Sequence, residues 1–198
     1  MRALEIRSVT GSALEPFVDD LARLRIAIFR AYPYLYDGDR AYEMTYLRAF
    51  AAAGDAIAVL ALAGDRVVGM STGLPLGAEV AAFREPFERA GRTPETVFYC
   101  AESLLEPDFR GGGTYRAFFA RREAHARALG CFTTVAFCAV DRPVGHALRP
   151  LEYAPLDPVW RRFGYSPQRE LVAHLAWKDV DRATESDHAL TFWTKSLA

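Results

Sequence analysis

Arg110 and the run Gly111-Gly112-Gly113-Thr114 are the residues whose types and spacing most readily do chemistry, and that chemistry is anion binding. An apolar run, Val97-Phe98-Tyr99-Cys100-Ala101, leads toward them through Glu102, Ser103, Leu104 and Leu105 and breaks at Pro107. A helical segment follows from Tyr115 to Leu129 and stops at Gly130. The first N–H groups of a helix have no internal partner, and the helix dipole leaves that end partly positive. Glycines let the backbone approach a phosphate and take φ > 0. Arg110 adds a fixed positive charge with forked donors. A loose surface turn is also glycine-rich. The position between strand and helix, directly after an arginine, favours the anion reading.

The spacing is specific. Leu105, four residues, Arg110, two residues and then Gly113 resembles the acyl-CoA pyrophosphate signature of the GNAT superfamily of N-acyltransferases. That signature reads apolar residue, four positions, Arg or Gln, two positions, Gly, one position, Gly or Ala. Tyr115 occupies the last position and departs from it. The resemblance implies acetyl-CoA as co-substrate, its pyrophosphate held by the amides from Arg110 through Gly111, Gly112, Gly113 and Thr114 to Tyr115. It implies that backbone near Leu104 and Leu105 meets the pantetheine and the acyl carbonyl. Glu102 lies three residues before Leu105, where family members often place a carboxylate, and is the expected general base. The competing role for Glu102 is a structural carboxylate paired with an arginine. Val159-Trp160-Arg161-Arg162-Phe163-Gly164-Tyr165 resembles a second family motif. Trp160 stands where the family often has the tyrosine that protonates the departing thiolate. Tyr153 is the expected replacement acid, with Tyr99 and Cys138 as alternatives. Cys138 as an acylated nucleophile has no activating base beside it in sequence.

Composition bounds the rest. The chain has 198 residues, 51% apolar and 25% charged, which suits one globular domain with a full core. A formal net charge of −1 gives no general attraction to nucleic acid or an anionic membrane. No apolar run approaches the length of a membrane span and Met1-Arg2-Ala3 opens no signal peptide, so a cytoplasmic location is expected. Cys100, Cys131 and Cys138 lack metal-like spacing, so no metal is expected; Cys100 and Cys138 read as buried core residues.

The elements that must position these residues follow from periodicity. Residues 3–9 alternate as a half-buried strand. Ser12 and Glu15 have capping-box spacing before a helix with Phe17, Leu21, Leu24 and Ile28 on one face. The Tyr32-Pro33-Tyr34-Leu35-Tyr36-Asp37-Gly38 loop reads as a core-edge cover or, by the resemblance, as part of the acceptor site through Tyr34 and Tyr36. Asp39 caps a second helix with Tyr42, Tyr46, Ala49 and Ala53 on one face. Strands are expected at 56–62 and 66–74, then a helical insertion over 77–91 that Pro86 bends or ends. Ala117, Ala120, Ala124 and Ala128 form a small-residue stripe for close approach to a sheet, with a Glu123–Arg127 pair on the exposed side. A strand over 132–140, a long loop over 141–157 and two last strands, 170–177 and 188–194, complete the chain.

The expected architecture is a single mixed α/β (α+β) domain over residues 1–198, with a central, mostly antiparallel, twisted sheet of about six or seven strands flanked by helices. The expected activity is transfer of an acetyl group from acetyl-CoA to an amine of a small molecule or peptide. Asp37, Glu43 and Glu152 with the tyrosine loop suit a cationic or aromatic amine. The resemblance also implies a homodimer through the late strands. An acyl-CoA-binding sensor without turnover is the alternative. A nucleotide-binding module fits less well, since no lysine follows Gly113 as a P-loop requires.

Overall fold

The computed structural model describes residues 4–197. The chain runs β1 (Glu5–Thr10), α1 (Val18–Phe29), α2 (Arg40–Ala52), β2 (Ile57–Ala63), β3 (Arg66–Pro75), α3 (Ala81–Arg89), β4 (Val97–Tyr99), β5 (Ser103–Leu105), α4 (Thr114–Leu129), β6 (Thr134–Val140), α5 (Asp157–Arg162), β7 (Ser166–Lys178) and β8 (Glu185–Ser196). One sheet of eight strands has the order β1-β2-β3-β4-β6-β8-β7, with β5 on β3. Every pairing is antiparallel except β4 with β6. The sheet exceeds the expected six or seven strands because the single strand read over 97–105 is divided in two.

That division sets up the cleft. Tyr99 pairs with Ala136 of β6, and Cys100 N–H gives a last bond to Ala136 O at 2.7 Å. Ala101 and Glu102 then both oppose Thr72: Ala101 N–H bonds Thr72 O, and Thr72 N–H bonds Glu102 O, each at 3.1 Å. Two residues against one is a β-bulge, which bends its strand. Past it, β5 follows β3 alone, and Phe137–Val140 of β6 lose their neighbour on that side.

Two apolar layers sandwich the sheet. On one face Leu21, Leu24, Leu47, Phe50 and Phe87 from α1, α2 and α3 meet Leu60, Met70 and Phe192. On the other, Phe118, Phe119 and Ala126 of α4 meet Val59, Phe98, Val135 and Phe137. The strand 56–62 reads as a continuous apolar run because both its faces are covered.

Several local expectations are corrected. Ser12 and Glu15 form no capping box: residues 11–17 make a 3₁₀ turn, and α1 starts at Val18 with no side-chain cap. Asp39 does cap α2, accepting from Tyr42 N–H at 2.9 Å. The buried face of α2 is Glu43, Leu47 and Phe50, and Tyr42 is 61% exposed. α3 runs through Pro86 to Arg89, held by Phe87 against Phe192 at 4.9 Å between ring centroids. On α4 the alanines at 120, 124 and 128 face solvent, while Phe118, Phe119, Arg122 and Glu123 face the sheet. The expected Glu123–Arg127 pair forms at 3.6 Å, but Glu123 is not on an exposed side; it also accepts from Tyr165 Oη and Lys195 Nζ. The expected start of the first strand at Ala3 lies outside the described residues.

Candidate active site

The gap between β5 and β6 opens into a cleft of about 1510 Å³. That exceeds the roughly 300–1,000 Å³ of a site for one drug-sized molecule. It suits an extended co-substrate together with an acceptor. The glycine turn and Glu102 line the same cleft, through Arg110, Gly111, Gly113 and Tyr115 on one side of the bulge.

The glycine turn has the form the sequence implies. α4 begins at Thr114, directly after Gly113, which stands at φ 83°, and Gly111 stands at φ 87°. A Cβ at either position would meet nothing within 4 Å, so the requirement is backbone conformation rather than space. Gly112 and Thr114 belong to the turn without lining the cleft, and Thr114 is buried. Arg110 folds back, and its Nε donates to Leu105 O at 3.1 Å. Gly113→Val places a β-branched residue in the left-handed region, which costs more than 1–2 kcal/mol. The exposed turn can relax away from that strain when free and must re-form to bind, so binding calorimetry should register it as acetyl-CoA affinity weakened about tenfold or more, with only a small change in Tm. Unaltered affinity would separate this turn from cofactor binding.

Strand register decides which amides face the gap. Thr72 N–H bonds Glu102 O and Glu106 N–H bonds Val68 O, so the hydrogen-bonded antiparallel pairs are 72 with 102, 70 with 104 and 68 with 106. Leu104 therefore spends its main chain on Met70. Ser103 and Leu105, the alternate positions, turn theirs toward the cleft. Of the expected pair Leu104 and Leu105, only Leu105 offers an amide there. Ser103 is the residue the sequence reading passed over, and pairing alternation is the signal that finds it.

Glu102 is buried, and its Oε2 accepts from Arg25 Nη1 at 2.6 Å. Arg25 Nε donates to Glu43, which is fully buried. The guanidinium also lies over the Tyr46 ring at 4.4 Å and the Phe29 ring at 5.2 Å. Burial works against its charge, but Glu102, then Tyr46 and Glu43, outweigh it and hold its pKa above the ordinary value. Glu102 Oε1 and Glu43 Oε1 are buried without hydrogen-bond partners. Glu79, buried nearby, is pushed up to about 6, by its burial first and by the charge of Glu102 as well.

The tyrosines divide. Tyr34 lines the cleft, its ring 4.6 Å from Phe29. Burial first, with the charge of Glu102 among its neighbours, pushes its pKa well up. Tyr36 does not line the cleft, and burial first, then the charge of Glu43, raises the pKa of its hydroxyl. Tyr153 lines the cleft and packs edge-on against Tyr32 at 4.6 Å, with Arg149 over its ring. Asp37 is committed to Arg30 and Lys178, and Glu43 to Arg25, so of the three acids expected near an amine only Glu152 lines the cleft. Cys138 lies 3.0 Å from Tyr99 Oη, and burial pushes its thiol up to about 12. Burial thus favours the neutral thiol over the reactive thiolate.

The two departures from the family pattern meet. Trp160 Nε1 donates to Tyr115 Oη at 2.9 Å. Tyr115 also packs on Phe119, and Trp160 on Phe137 and Trp193, forming an aromatic wall between α4, α5 and the sheet. Among the described residues no group of His, Cys, Asp and Glu is placed to hold a metal ion, and no helix is long and apolar enough to cross a membrane.

No family model and no curated protein sequence matches the chain. Solved structures do. A ribosomal-protein-alanine N-acetyltransferase from Brucella melitensis superposes with a TM-score of 0.61 at 16% identity, covering 98% of this chain and 99% of that one. An aminoglycoside 6'-acetyltransferase type Ii superposes at 0.58 and 15% identity, covering 98% and 97%. A Desulfovibrio desulfuricans protein assigned to the GNAT family of acetyltransferases superposes at 0.59 and 16%, covering 99% and 100%. The chain has the fold of the GNAT acetyltransferases over its described residues.

Proposed function

We propose that this protein transfers an acetyl group from acetyl-CoA to a primary amine of a small molecule or peptide. The observation that carries the reading is one cleft, opened where β5 leaves β6, that brings the glycine turn at the start of α4 together with Glu102. The fold supports it, and a neighbour of the same fold is an aminoglycoside 6'-N-acetyltransferase complexed with coenzyme A. Here the amides from Arg110 to Tyr115 would hold the pyrophosphate at the positive helix end. Tyr34 would form part of the acceptor wall. The amine nitrogen attacks the thioester carbonyl carbon, a C–N bond forms, the C–S bond breaks, and CoA departs as thiolate. Glu102 takes the amine proton on Oε1, because Oε2 is committed to Arg25. Tyr153 returns a proton to the thiolate.

Two observations favour a second reading. Glu102 is tied to a buried arginine and Trp160 replaces the usual acid, as an acyl-CoA-binding sensor would allow. Calorimetry with acetyl-CoA, followed by free-thiol release across polyamines, aromatic amines and peptide amines, separates the two. Binding with release supports the enzyme, and slower release by Tyr153→Phe supports Tyr153 as the acid. Binding without release on any amine supports the sensor. Absence of binding ends both.

A further inference from the structure

The Glu102 carbonyl oxygen is held by more donors than burial requires. It accepts from Thr72 N–H at 3.1 Å, Ser71 Oγ at 3.0 Å and Arg122 Nη1 at 2.9 Å. A carbonyl has two lone pairs, and two bonds satisfy it. The third donor is a guanidinium only 1% exposed, stacked over Phe119 at 4.9 Å. It has no carboxylate partner among the described residues, and the adjacent Glu123 is engaged by Lys195 and Tyr165. Burying a guanidinium without an opposing charge is expensive. Arg122 Nη1 also donates to Thr72 O at 3.1 Å, but joining two carbonyls at a bulge does not by itself call for a charge.

The geometry of a peptide unit gives that charge a use. In a trans peptide the C=O and the next N–H point to opposite edges of one plane. Pinning Glu102 O toward β3 and α4 aims Ser103 N–H the other way, into the gap beside β6. The pairing alternation places it there independently. A cation on the oxygen end also polarises the peptide and strengthens its N–H as a donor, as bonds in a chain reinforce one another.

We infer that Arg122, with Ser71 beside it, positions and polarises the Glu102–Ser103 peptide so that Ser103 N–H receives the negative charge that develops on the acyl oxygen. The inference rests on the acyl-transfer reading. Arg122 is a positioning residue and acts through that one N–H; an N–H held in place before reaction stabilises an oxyanion without reorganising. Attack moves the carbonyl π electrons onto oxygen, and their return expels the thiolate.

The test is the infrared carbonyl band of acetyl-CoA labelled with carbon-13 at the carbonyl, bound without an acceptor. In the wild-type protein the band should fall below its position in solution. Arg122→Met should remove at least about half of that displacement and lower kcat by about tenfold or more, with KM for acetyl-CoA within about twofold. Ser71→Ala should fall between the two, and Arg122→Lys should recover part of both effects. If Arg122→Met does not fold, Ser71→Ala and Arg122→Lys carry the comparison. A wild-type band at its solution position, or a band displaced equally in wild type and variants, overturns the inference while acyl-CoA binding stands. Failure of CoA itself to bind by calorimetry overturns the acyl-transfer reading, and this inference with it.

Discussion

Glu102→Gln is expected to lower kcat for amine acylation by roughly 10²- to 10⁴-fold, the contribution of a positioned general base, with the Kd for acetyl-CoA unchanged. Glutamine keeps an oxygen that can accept from Arg25 Nη1, and Arg25 keeps Glu43, so the polar network retains its connections. What the substitution removes is the ability to take a proton on the second oxygen, which is buried and unpartnered. Single-turnover rates at saturating acetyl-CoA and amine measure the chemical step, and calorimetry measures the cofactor affinity. A thermal melt within a few degrees of wild type confirms that the network still folds. An unchanged rate would leave Glu102 as the structural partner of Arg25 and take it out of the mechanism.

The same residue marks where sequence reading reaches and where it stops. Glu102 stands out as a carboxylate in an apolar strand, and its distance from Arg110 and Gly113 is fixed by short local geometry. That is why the glycine turn, the start of α4 and the cleft side of Glu102 are legible. The partners of Glu102 are not. Arg25 is 77 positions away and Glu43 is bound to Arg25 across 18, and no periodicity links the three. The bulge was equally hidden, because the extra residue at Ala101 and Glu102 changes pairing without changing apolar character. The buried face of α4 is hidden for a related reason. Arg122 and Glu123 look like solvent-facing charges by type, and the alanines look like packing residues. Both turn inward to polar groups of the sheet instead: Arg122 reaches the Thr72 and Glu102 carbonyls at the bulge, and Glu123 meets Tyr165 and Lys195. Charged residues on a helix face are assigned to solvent by default, and that default fails where the sheet beneath the helix offers polar partners that the sequence does not mark.

Arg142→Met should be the most destabilising of these substitutions, by about 3–5 kcal/mol, the cost of leaving one member of a buried ion pair alone. For a domain of this size that is a fall of roughly 6–20 °C in Tm. Arg142 and Asp179 are both largely buried and meet through two bonds of 2.7 and 2.8 Å. Arg142 also donates to Pro33 O at 2.7 Å and Tyr34 O at 2.6 Å, and Trp177 Nε1 reaches Tyr34 O at 3.2 Å. Leu35, next to Tyr34, sits at φ 55°, a conformation a leucine keeps only when its surroundings impose it. One guanidinium therefore ties the end of β6 to β7 and to the tyrosine loop on the acceptor side. Acid should weaken the same tie. Burial alone would raise the Asp179 pKa, but the hydrogen bonds and charge of Arg142 outweigh it and hold the pKa below the ordinary carboxylate value. A folded pKa below the unfolded one adds stability above the unfolded value, and that stability is lost as pH falls through the folded value. Burial holds His188 below its ordinary value despite the pull of Asp179. It is neutral near pH 7, so its 3.3 Å approach to Asp179 is then no ion pair. The sign for His188 is the same, since folding favours the uncharged ring and protonation in acid opposes it. Melts across pH 3 to 8 should show wild-type Tm falling toward acid. The Arg142→Met curve should lie below it and be flatter in its most acidic part, where Asp179 no longer carries its advantage. The decisive kinetic reading is KM for the amine. If the arginine holds Tyr34 in the acceptor wall, KM for the amine rises while KM for acetyl-CoA holds. A rise in neither, in a variant that still folds at the assay temperature, would separate this network from acceptor binding.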